Sequence, residues 1–281
     1  MVKGWLKGVI AFLPVLTIIA IFYFYPLYVT FERSMLRGDE FIGLERYFNF
    51  LSDPNLTRAF VNSFRISLLS TVISIILGVI IALALRDTFV GKRISAFLFQ
   101  MNISIPHIAV ATMVVFLLGP VGIMSSLSYQ MGWIDNWTDF PKIINDASPW
   151  GVIFSYSLKF VPFIGMAVLA VLQSFPREFE YQSRTLGVGR FSTFIHVTLP
   201  AIIPAIATSS MIVFAFSFGC YEVPTILLRD VTVPTLIYNS FYDYYNPEGR
   251  PTGYAAAIML TAMIIVIASI YLYLTSRGRK A

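Results

Sequence analysis

The chain has little charge, little histidine and almost no cysteine. Of its 281 residues, 12% are charged, two are histidines and one is a cysteine. A soluble domain carries about 25% charged residues, so this composition excludes an ordinary soluble fold. The single cysteine, Cys220, permits no intrachain disulfide. His107 and His196 are far apart and no H-E-x-x-H sequence exists, which excludes a zinc protease of that type.

The sequence also lacks nucleotide-binding motifs. Gly91-Lys92 has no upstream P-loop glycine, and Gly187-x-Gly189 has neither a third glycine nor a preceding predicted strand. The pI of about 9.3 suggests nucleic acid, but the basic residues flank apolar stretches and form no patch, so we expect no nucleic-acid partner. We expect no cofactor or metal in this chain. ATP-driven activity would need an ATPase on another polypeptide.

Apolar residues are abundant: 57% of the chain is hydrophobic and the mean hydropathy is +0.74. About 20 apolar residues span the roughly 30 Å of a bilayer. Stretches of this length lie at about 8–28, 66–85, 95–118, 151–175, 199–228 and 254–274. The sequence thus predicts an all-α polytopic membrane protein with six transmembrane helices, with Thr198 as the N-cap of the fifth and an interfacial helix near 123–131. We expect an N-terminal helix and external loop over 1–60, a permease-like core of five helices over 61–276 and a basic tail over 277–281.

Basic residues predict the orientation of these helices, because cytoplasmic segments of membrane proteins carry an excess of Lys and Arg. With a cytoplasmic N-terminus, the inside segments contain Lys3, Lys7, Arg86, Lys92, Arg93, Arg177, Arg184, Arg190, Arg277, Arg279 and Lys280. The longer outside segments contain only Arg33, Arg37, Arg46, Arg58, Lys142, Arg229 and Arg250. Both termini, and the polar segment between the fourth and fifth helices, are therefore predicted to be cytoplasmic.

That polar segment, Glu180–Pro200, has the spacing of a docking helix. Glu180 and Arg184 form an i,i+4 pair in the favourable order, and Gly187 follows Glu180 by two helical turns. Gly187 and Gly189 permit a sharp turn or the close approach of another backbone. The alternative is an amphipathic connector that lies on the membrane surface and binds no partner.

The segment resembles the EAA loop of ABC-transporter permeases, whose pattern reads E-A-A-x(4)-G, followed by a hydrophobic residue and I-x-L-P. The residues that match are Glu180, Gly187, Phe194, Leu199 and Pro200, while Tyr181 and Gln182 replace the two alanines. The stretches Phe41–Phe48, Asp53-Pro54 and Ala59–Ser63 look like the segment that introduces the core of these permeases. Phe214–Pro224 is similar to the fifth-helix signature of the polyamine, iron and phosphonate branch.

This resemblance implies the inner-membrane permease subunit of a bacterial binding-protein-dependent importer. A cytoplasmic ATPase dimer, which carries ATP and Mg²⁺, would grip the 177–198 loop. The implied coupling residues are Glu180, Arg184, Gly187, Gly189, Arg190, Phe194, Leu199 and Pro200. An external binding protein would deliver the cargo, and six spans require a second permease subunit, for which a paralogue is favoured over an identical copy. The alternative function is an ion-gradient-driven secondary transporter.

Charged residues inside the spans are candidates for the translocation path, because a buried charge is costly unless it is paired or hydrated. Lys159 and Glu222 lie at similar predicted depths, about 12 and 9 Å from the outer end at 1.5 Å per residue. We expect them to pair in at least one state, either to hold two helices together or to contact cargo. Tyr221, His107 and Arg65 are further candidates, although His107 could instead be a satisfied neutral histidine and Arg65 could extend toward the membrane surface. One acid suits a cationic cargo, and the basic residues suit an anion.

Overall fold

The computed structural model describes residues 12–38, 40–87, 90–228, 230–243, 245 and 249–277. The basic residues Lys3, Lys7, Arg229, Arg279 and Lys280, which entered the orientation argument, lie outside the described residues. A short antiparallel hairpin is the only sheet in the described part of the chain. Its strands, β1 (Leu36–Arg37) and β2 (Glu40–Phe41), have two residues each. The rest is helical or irregular, which confirms the all-α prediction.

The helices are numbered in chain order. They are α1 (Phe12–Ser34), α2 (Glu45–Ser52), α3 (Pro54–Arg86), α4 (Lys92–Ser104), α5 (His107–Leu118), α6 (Ile123–Gln130), α7 (Trp150–Ser174), α8 (Glu178–Thr185), α9 (Arg190–Gly219), α10 (Glu222–Leu227), α11 (Val233–Tyr242) and α12 (Gly249–Arg277). The stretches long and apolar enough to cross a membrane are α1, α3, α5 with α6, α7, α9 and the first part of α12. The predicted number of six spans is confirmed for the residues that the structure describes.

The chain divides into two compact units. The first consists of Met1–Thr57 and Leu236–Met263. Within it, Nη1 of buried Arg46 donates hydrogen bonds to the carbonyl oxygens of Ser34 and Leu36, at 2.7 and 3.0 Å. These bonds tie α2 to the end of α1 and to the hairpin.

The second unit, Arg58–Thr235 with Ile264–Ala281, is built around α7. This helix contacts α4, α5, α9 and α10, and it is the most buried of the candidate spans. Tyr156, Ile164 and Val168 of α7 are fully buried in the hydrophobic core of the unit. A helix that is apolar on every side is stable when other helices surround it, as they do here.

Two glycines let α3 and α7 cross in close contact. A Cβ atom added at Gly78 would lie 3.0 Å from the backbone nitrogen of Gly165 and 3.1 Å from the carbonyl oxygen of Val161. A Cβ atom at Gly165 would in turn lie 3.1 Å from the carbonyl oxygen of Gly78. Small residues at such crossings allow the two backbones to approach and to gain van der Waals contact that replaces contact with lipid.

The predicted third span, 95–118, is wrong as a single helix. The chain leaves the helix at Ile105, which is extended with ψ 133°, and α5 begins after Pro106. Proline lacks the N–H that a continuing helix needs, and it forces the preceding residue into an extended conformation. The membrane-crossing stretch is instead α5 with α6. A helix is present near 123–131, as the sequence predicts, but it belongs to this stretch, and its interfacial position stays a prediction.

The predicted fifth span, 199–228, is wrong at both ends. Its helix, α9, begins at Arg190 and passes through a π-helical turn at Phe194–Thr198, next to Pro200. The missing N–H of Pro200 removes one bond of the helix ladder, and a widened turn accommodates this loss. Thr198 is consequently inside the helix and not an N-cap. The other end lies at Gly219, because Cys220 is extended with ψ 128° and α10 starts separately.

The helix crossing at Gly78 can be tested by overpacking. We expect Gly78→Leu to lower the stability of the protein by about 1–3 kcal/mol, because the side chain would meet the backbone of α7. Gly219→Leu is the matched control, since a Cβ atom there meets no atom within 4 Å. Melting temperatures of the two variants in the same detergent measure the difference. Equal melting temperatures would show that the crossing is not tight.

Candidate functional site

The docking segment predicted from the sequence is a helix, α8, between the membrane helices α7 and α9. Glu178 and Glu180 lie in its first turn and Arg184 in its last. Acidic residues at the start of a helix and basic residues at its end stabilise it through the helix dipole. The segment therefore has a helical preference of its own, before any tertiary contact is made.

Glu180 connects α8 to two membrane helices. Its Oε1 accepts a hydrogen bond from Nη1 of Arg86, at 2.5 Å, and another from Oγ1 of Thr198, at 2.7 Å. Arg86 is the last residue of α3, and Thr198 is the last residue of the π-helical turn in α9. The side chains of Glu180 and Arg86 are only 16% and 8% exposed. This triad, Arg86–Glu180–Thr198, is called the docking triad below.

The predicted i,i+4 ion pair between Glu180 and Arg184 is wrong. The ion-pair partner of Glu180 in the structure is Arg86, which lies 94 residues away in sequence. The reason is geometric: the inner face of α8 turns Glu180 toward the ends of α3 and α9, whereas Arg184 remains exposed on the surface. Arg184 contributes only through its more distant charge.

The charge of Glu180 is stable at neutral pH. Burial by itself raises the pKa of this carboxyl group, but the hydrogen bonds from Arg86 and Thr198 hold the pKa below its ordinary value of 4.5. The second guanidinium nitrogen of Arg86 and its backbone carbonyl also form hydrogen bonds. Nη2 of Arg86 donates to the carbonyl oxygen of Phe175, and Arg177 and Lys92 donate to the backbone carbonyl of Arg86. The end of α3 is thus bound to both ends of the loop that introduces α8.

Gly187 ends α8 in a tight turn. Its φ is +82°, and its backbone N–H donates to the carbonyl of Arg184 at 3.0 Å. The N–H of Val188 donates to the carbonyl of Ser183 at 3.2 Å, which completes the glycine-terminated helix end known as the Schellman motif. Gly189 has an ordinary negative φ of −63° and caps the start of α9. Of the sharp turn and the close approach predicted for these glycines, the structure therefore contains the turn.

The surface of this junction exposes both apolar and basic side chains. Leu186 and Phe191 are 83% and 76% exposed, and Arg184 and Arg190 are exposed beside them. A polar cavity of about 280 Å³ lies between these arginines and the docking triad. Phe194 and Leu199 pack against the hydrophobic core, and Phe194 also lines this cavity, while Pro200 is exposed.

Lys159, one of the predicted path residues, is bound to backbone. Its buried ammonium group donates to the carbonyl oxygens of Asn102 and Ile103, at 2.9 and 2.8 Å, and to that of Ile105. These carbonyls form the end of α4, which the break before Pro106 leaves without helix partners. No ion pair joins Lys159 to Glu222 among the described residues, so the predicted pair is not formed in this conformation.

His107 and Glu222 lie at the two breaks in the membrane helices. His107 is the first residue of α5, and its ring stacks on Phe216 with 4.3 Å between centroids. Glu222 is the half-buried first residue of α10, and its carboxylate lies within electrostatic range of the His107 ring. Tyr221, which precedes it, is 40% exposed. Because α10 packs on α5, the fold brings the two breaks together.

Arg65 does not join this group. It lies on an exposed face of α3, with exposed Phe64 and Leu68 as its neighbours. No described residue forms a hydrogen bond or ion pair with it. The sequence correctly marked its charge as unusual for a span, but no hydrogen bond joins it to Lys159 or to the carbonyls that Lys159 binds in the described residues.

The family model "Binding-protein-dependent transport system inner membrane component" matches residues 74–280. The chain belongs to this family. It is the inner-membrane, multi-pass permease subunit of an ABC importer, and not an enzyme, which confirms the resemblance drawn from the EAA-type segment.

Two named relatives match most of this chain. The molybdenum transport system permease protein ModB of Escherichia coli (strain K12) is 26% identical over 235 residues, which cover 82% of this chain and 98% of that protein. The spermidine/putrescine transport system permease protein PotC homolog of Mycoplasma pneumoniae is 26% identical over 286 residues, covering 99% of this chain and 94% of that protein. Their named cargoes differ.

Solved structures share the fold of the permease. A chain of a bacterial ABC transporter involved in the import of the acidic polysaccharide alginate aligns with a TM-score of 0.77 at 20% identity, over 99% of this chain and 96% of that one. A chain of the MetNI methionine ABC transporter, in an inward-facing conformation, aligns with a TM-score of 0.58 at 16% identity, over 80% and 96%.

Two residues of the docking triad were missed as site residues. Arg86 was interpreted only as an orientation signal and Thr198 as a helix cap. The signal in the sequence was weak: Arg86 is the first charged residue after a long uncharged stretch, so it marks where α3 leaves the membrane. Because Arg86 and Glu180 are 94 residues apart, no local sequence pattern indicates their contact.

The turn at Gly187 predicts different effects for two neighbouring glycines. Gly187→Ala should destabilise the docking segment by about 1 kcal/mol, because a residue with a Cβ atom strains the left-handed conformation. Gly189→Ser should be nearly neutral, since its φ suits any residue, serine is a good N-cap and its surroundings are equally open. Hydrogen exchange of the amides in 178–189 measures the local opening of each variant. Equal exchange would show that the positive φ of Gly187 does not limit stability.

Proposed function

We propose that this permease subunit transmits the motion of a separate cytoplasmic ATPase dimer to its membrane helices through the 177–198 segment. The observation that carries the proposal is the docking triad. It joins the docking helix α8 to the end of α3 and to the π-helical turn of α9. A displacement of α8 would therefore move two membrane helices together.

The strength of the triad supports this role. Removing one partner of a largely buried ion pair costs about 3–5 kcal/mol, because the remaining charge is left without compensation. A flexible surface connector has no need of such a contact. A pair that stays intact while the ATPase opens and closes would keep the docking helix and the two membrane helices in one rigid body.

The exposed surface favours a protein partner over a free loop. Leu186 and Phe191 are apolar and largely exposed in the polar segment, so both side chains are available to a protein partner. Exposed Arg184 and Arg190 lie close to them in sequence, and this combination suits an ATPase groove with an apolar floor and acidic sides. In this proposal ATP and Mg²⁺ bind to the ATPase dimer and not to the permease.

The proposal also includes an orientation in the membrane, external and subunit partners and a class of cargo. The excess of Lys and Arg in the inside segments supports cytoplasmic termini and a cytoplasmic α8. The segments 29–60, 120–150 and 229–252 would then face an external binding protein. A second permease subunit, a paralogue by preference, would complete the path. The cargo is a small solute, with the polyamines, ferric iron and phosphonates suggested by the sequence as the first classes to test.

The coupling role predicts the effect of breaking the triad. Arg86→Gln should leave ATP hydrolysis by the assembled complex but abolish most of its transport, since α8 would no longer move α3. Arg37→Gln is the control, because its ion pair with Glu45 is about half exposed, lies outside the 177–198 segment and its contacts, and such pairs contribute at most about 1 kcal/mol. Uptake per ATP hydrolysed, measured in proteoliposomes, gives the coupling ratio. An unchanged ratio in Arg86→Gln would reduce the triad to a local stabilising contact.

The orientation predicts the labelling of two matched threonines in a Cys220→Ala background. Thr138 and Thr185 are both exposed, the first in the 120–150 segment and the second on α8. In intact cells, Thr138→Cys should react with an impermeant maleimide and Thr185→Cys should not. Inverted membrane vesicles should give the opposite pattern. Labelling of Thr185→Cys from outside would contradict both the topology and a cytoplasmic docking site.

A further inference from the structure

We propose that the carboxylate of Glu222 and the aromatic rings beside it form a recognition point for an organic cation, and that the cargo of this importer is of that class. This inference rests on the proposed function, because it assumes that the two helix breaks border the translocation path. It adds the charge and chemical nature of the cargo, which the proposed function leaves open.

The basic side chains of the spans are not available to bind an anion at this point. The ammonium group of Lys159 is occupied by three backbone carbonyls at the end of α4. Arg65 lies on an exposed face of α3, away from these contacts. An anionic cargo would therefore meet no free cation at the helix breaks in the described part of the chain.

Glu222, in contrast, is an acid without a partner. It is half-buried, and no described residue gives it a hydrogen bond or an ion pair. An unpaired carboxylate at membrane depth is costly and is expected to serve a function. Its position as the first residue of α10, two residues after the extended Cys220, leaves the carboxylate next to an irregular stretch of backbone. Such stretches are tolerated in membranes where they line a cavity or are covered by protein.

The rings next to this carboxylate suit an organic ammonium group. His107 stacks on Phe216, Phe160 lies 5.7 Å from both of these rings, and Tyr156 lies 5.9 Å from Phe160. Glu222 is within electrostatic range of both His107 and Tyr156, and the ammonium group of Lys159 is within electrostatic range of His107 as well. Nε2 of His107 is buried without a hydrogen-bond partner, so one polar atom of the cluster still has bonding capacity. Aromatic faces attract organic cations, and a nearby carboxylate adds to that attraction.

A bare metal ion fits the same place poorly. No group of three or more His, Cys, Asp or Glu side chains with metal-binding geometry occurs in the residues that the structure describes. One carboxylate and one imidazole supply too few ligands for a transition metal, which is usually held by three or four. Aromatic rings supply none.

The charge of the proposed outer segments points the same way. Segments 29–60, 120–150 and 229–252 contain more acids than the seven basic residues named above. Their acids are Glu32, Asp39, Glu40, Glu45, Asp53, Asp135, Asp139, Asp146, Asp230, Asp243 and Glu248. The whole chain has a net charge of +5, so the negative balance is confined to the outer segments. A surface of this sign raises the local concentration of cations.

The test uses proteoliposomes that hold the complete transporter, with its ATPase, second permease and binding protein. The probes are organic cations (spermidine, choline and arginine) and inorganic anions (molybdate and sulfate). We expect ATP-dependent uptake of at least one organic cation and of neither anion. Glu222→Gln should reduce that uptake by about tenfold, the loss expected for one charged contact. Glu222→Asp should restore most of it, because the charge is kept.

Controls separate this inference from the proposed function. Lys159→Met should lower the melting temperature without changing which probes are taken up, since it loses a structural contact. ATP-dependent uptake of an anion, or of no organic cation, would overturn the cargo class while leaving the coupling ratio of the Arg86→Gln test intact. If Glu222→Gln instead weakens assembly with the second permease and leaves cation uptake normal, Glu222 is an interface residue and the recognition point is wrong.

Discussion

Lipid offers no hydrogen bonds, so every break in a membrane helix must find partners for its backbone within the protein. The second unit depends on this constraint. The break before Pro106 exposes carbonyls at the end of α4, and the ammonium group of Lys159 binds three of them. The break at Cys220 leaves a carbonyl that accepts from the hydroxyl of Tyr156 at 3.4 Å. Both partners lie on α7, so one buried helix supports the irregular backbone of its two neighbours.

The same helix links the membrane core to the junction at α8. It packs tightly against α3 at Gly78 and Gly165 and leads directly into the loop that carries α8. The docking triad then binds α8 back to the end of α3 and to α9. Tight glycine contacts resist sliding, and buried ion pairs resist separation. Together they describe a permease whose docking helix and membrane helices have little freedom to move independently.

The sequence predicted the local features of the candidate site well and its long-range contacts poorly. A docking helix, its glycine turn and the unusual charges at Lys159 and Glu222 could all be identified from spacing and hydropathy. The partner of Glu180 could not be identified, because Arg184 has the i,i+4 spacing of an ion-pair partner whereas Arg86, the actual partner, lies 94 residues away in sequence. Likewise, the partners of Lys159 are backbone carbonyls, which have no sequence signature. The first error follows from a local sequence pattern and the second from matching the predicted depths of Lys159 and Glu222, and neither pattern records how the helices are arranged in space.

By itself, the sequence determined how many helices cross the membrane, where the polar segment between the fourth and fifth spans lies and that a glycine turn is possible at Gly187 or Gly189. These features depend on hydropathy, helical periodicity and the conformational range of single residues, and each acts over a few neighbouring positions. Only the tertiary structure decided which charged side chains form hydrogen bonds or ion pairs within the described part of the protein and which do not. That outcome depends on how α3, α4, α7 and α9 are arranged in space, because an ion pair or a capped helix end requires atoms within about 3 Å of each other.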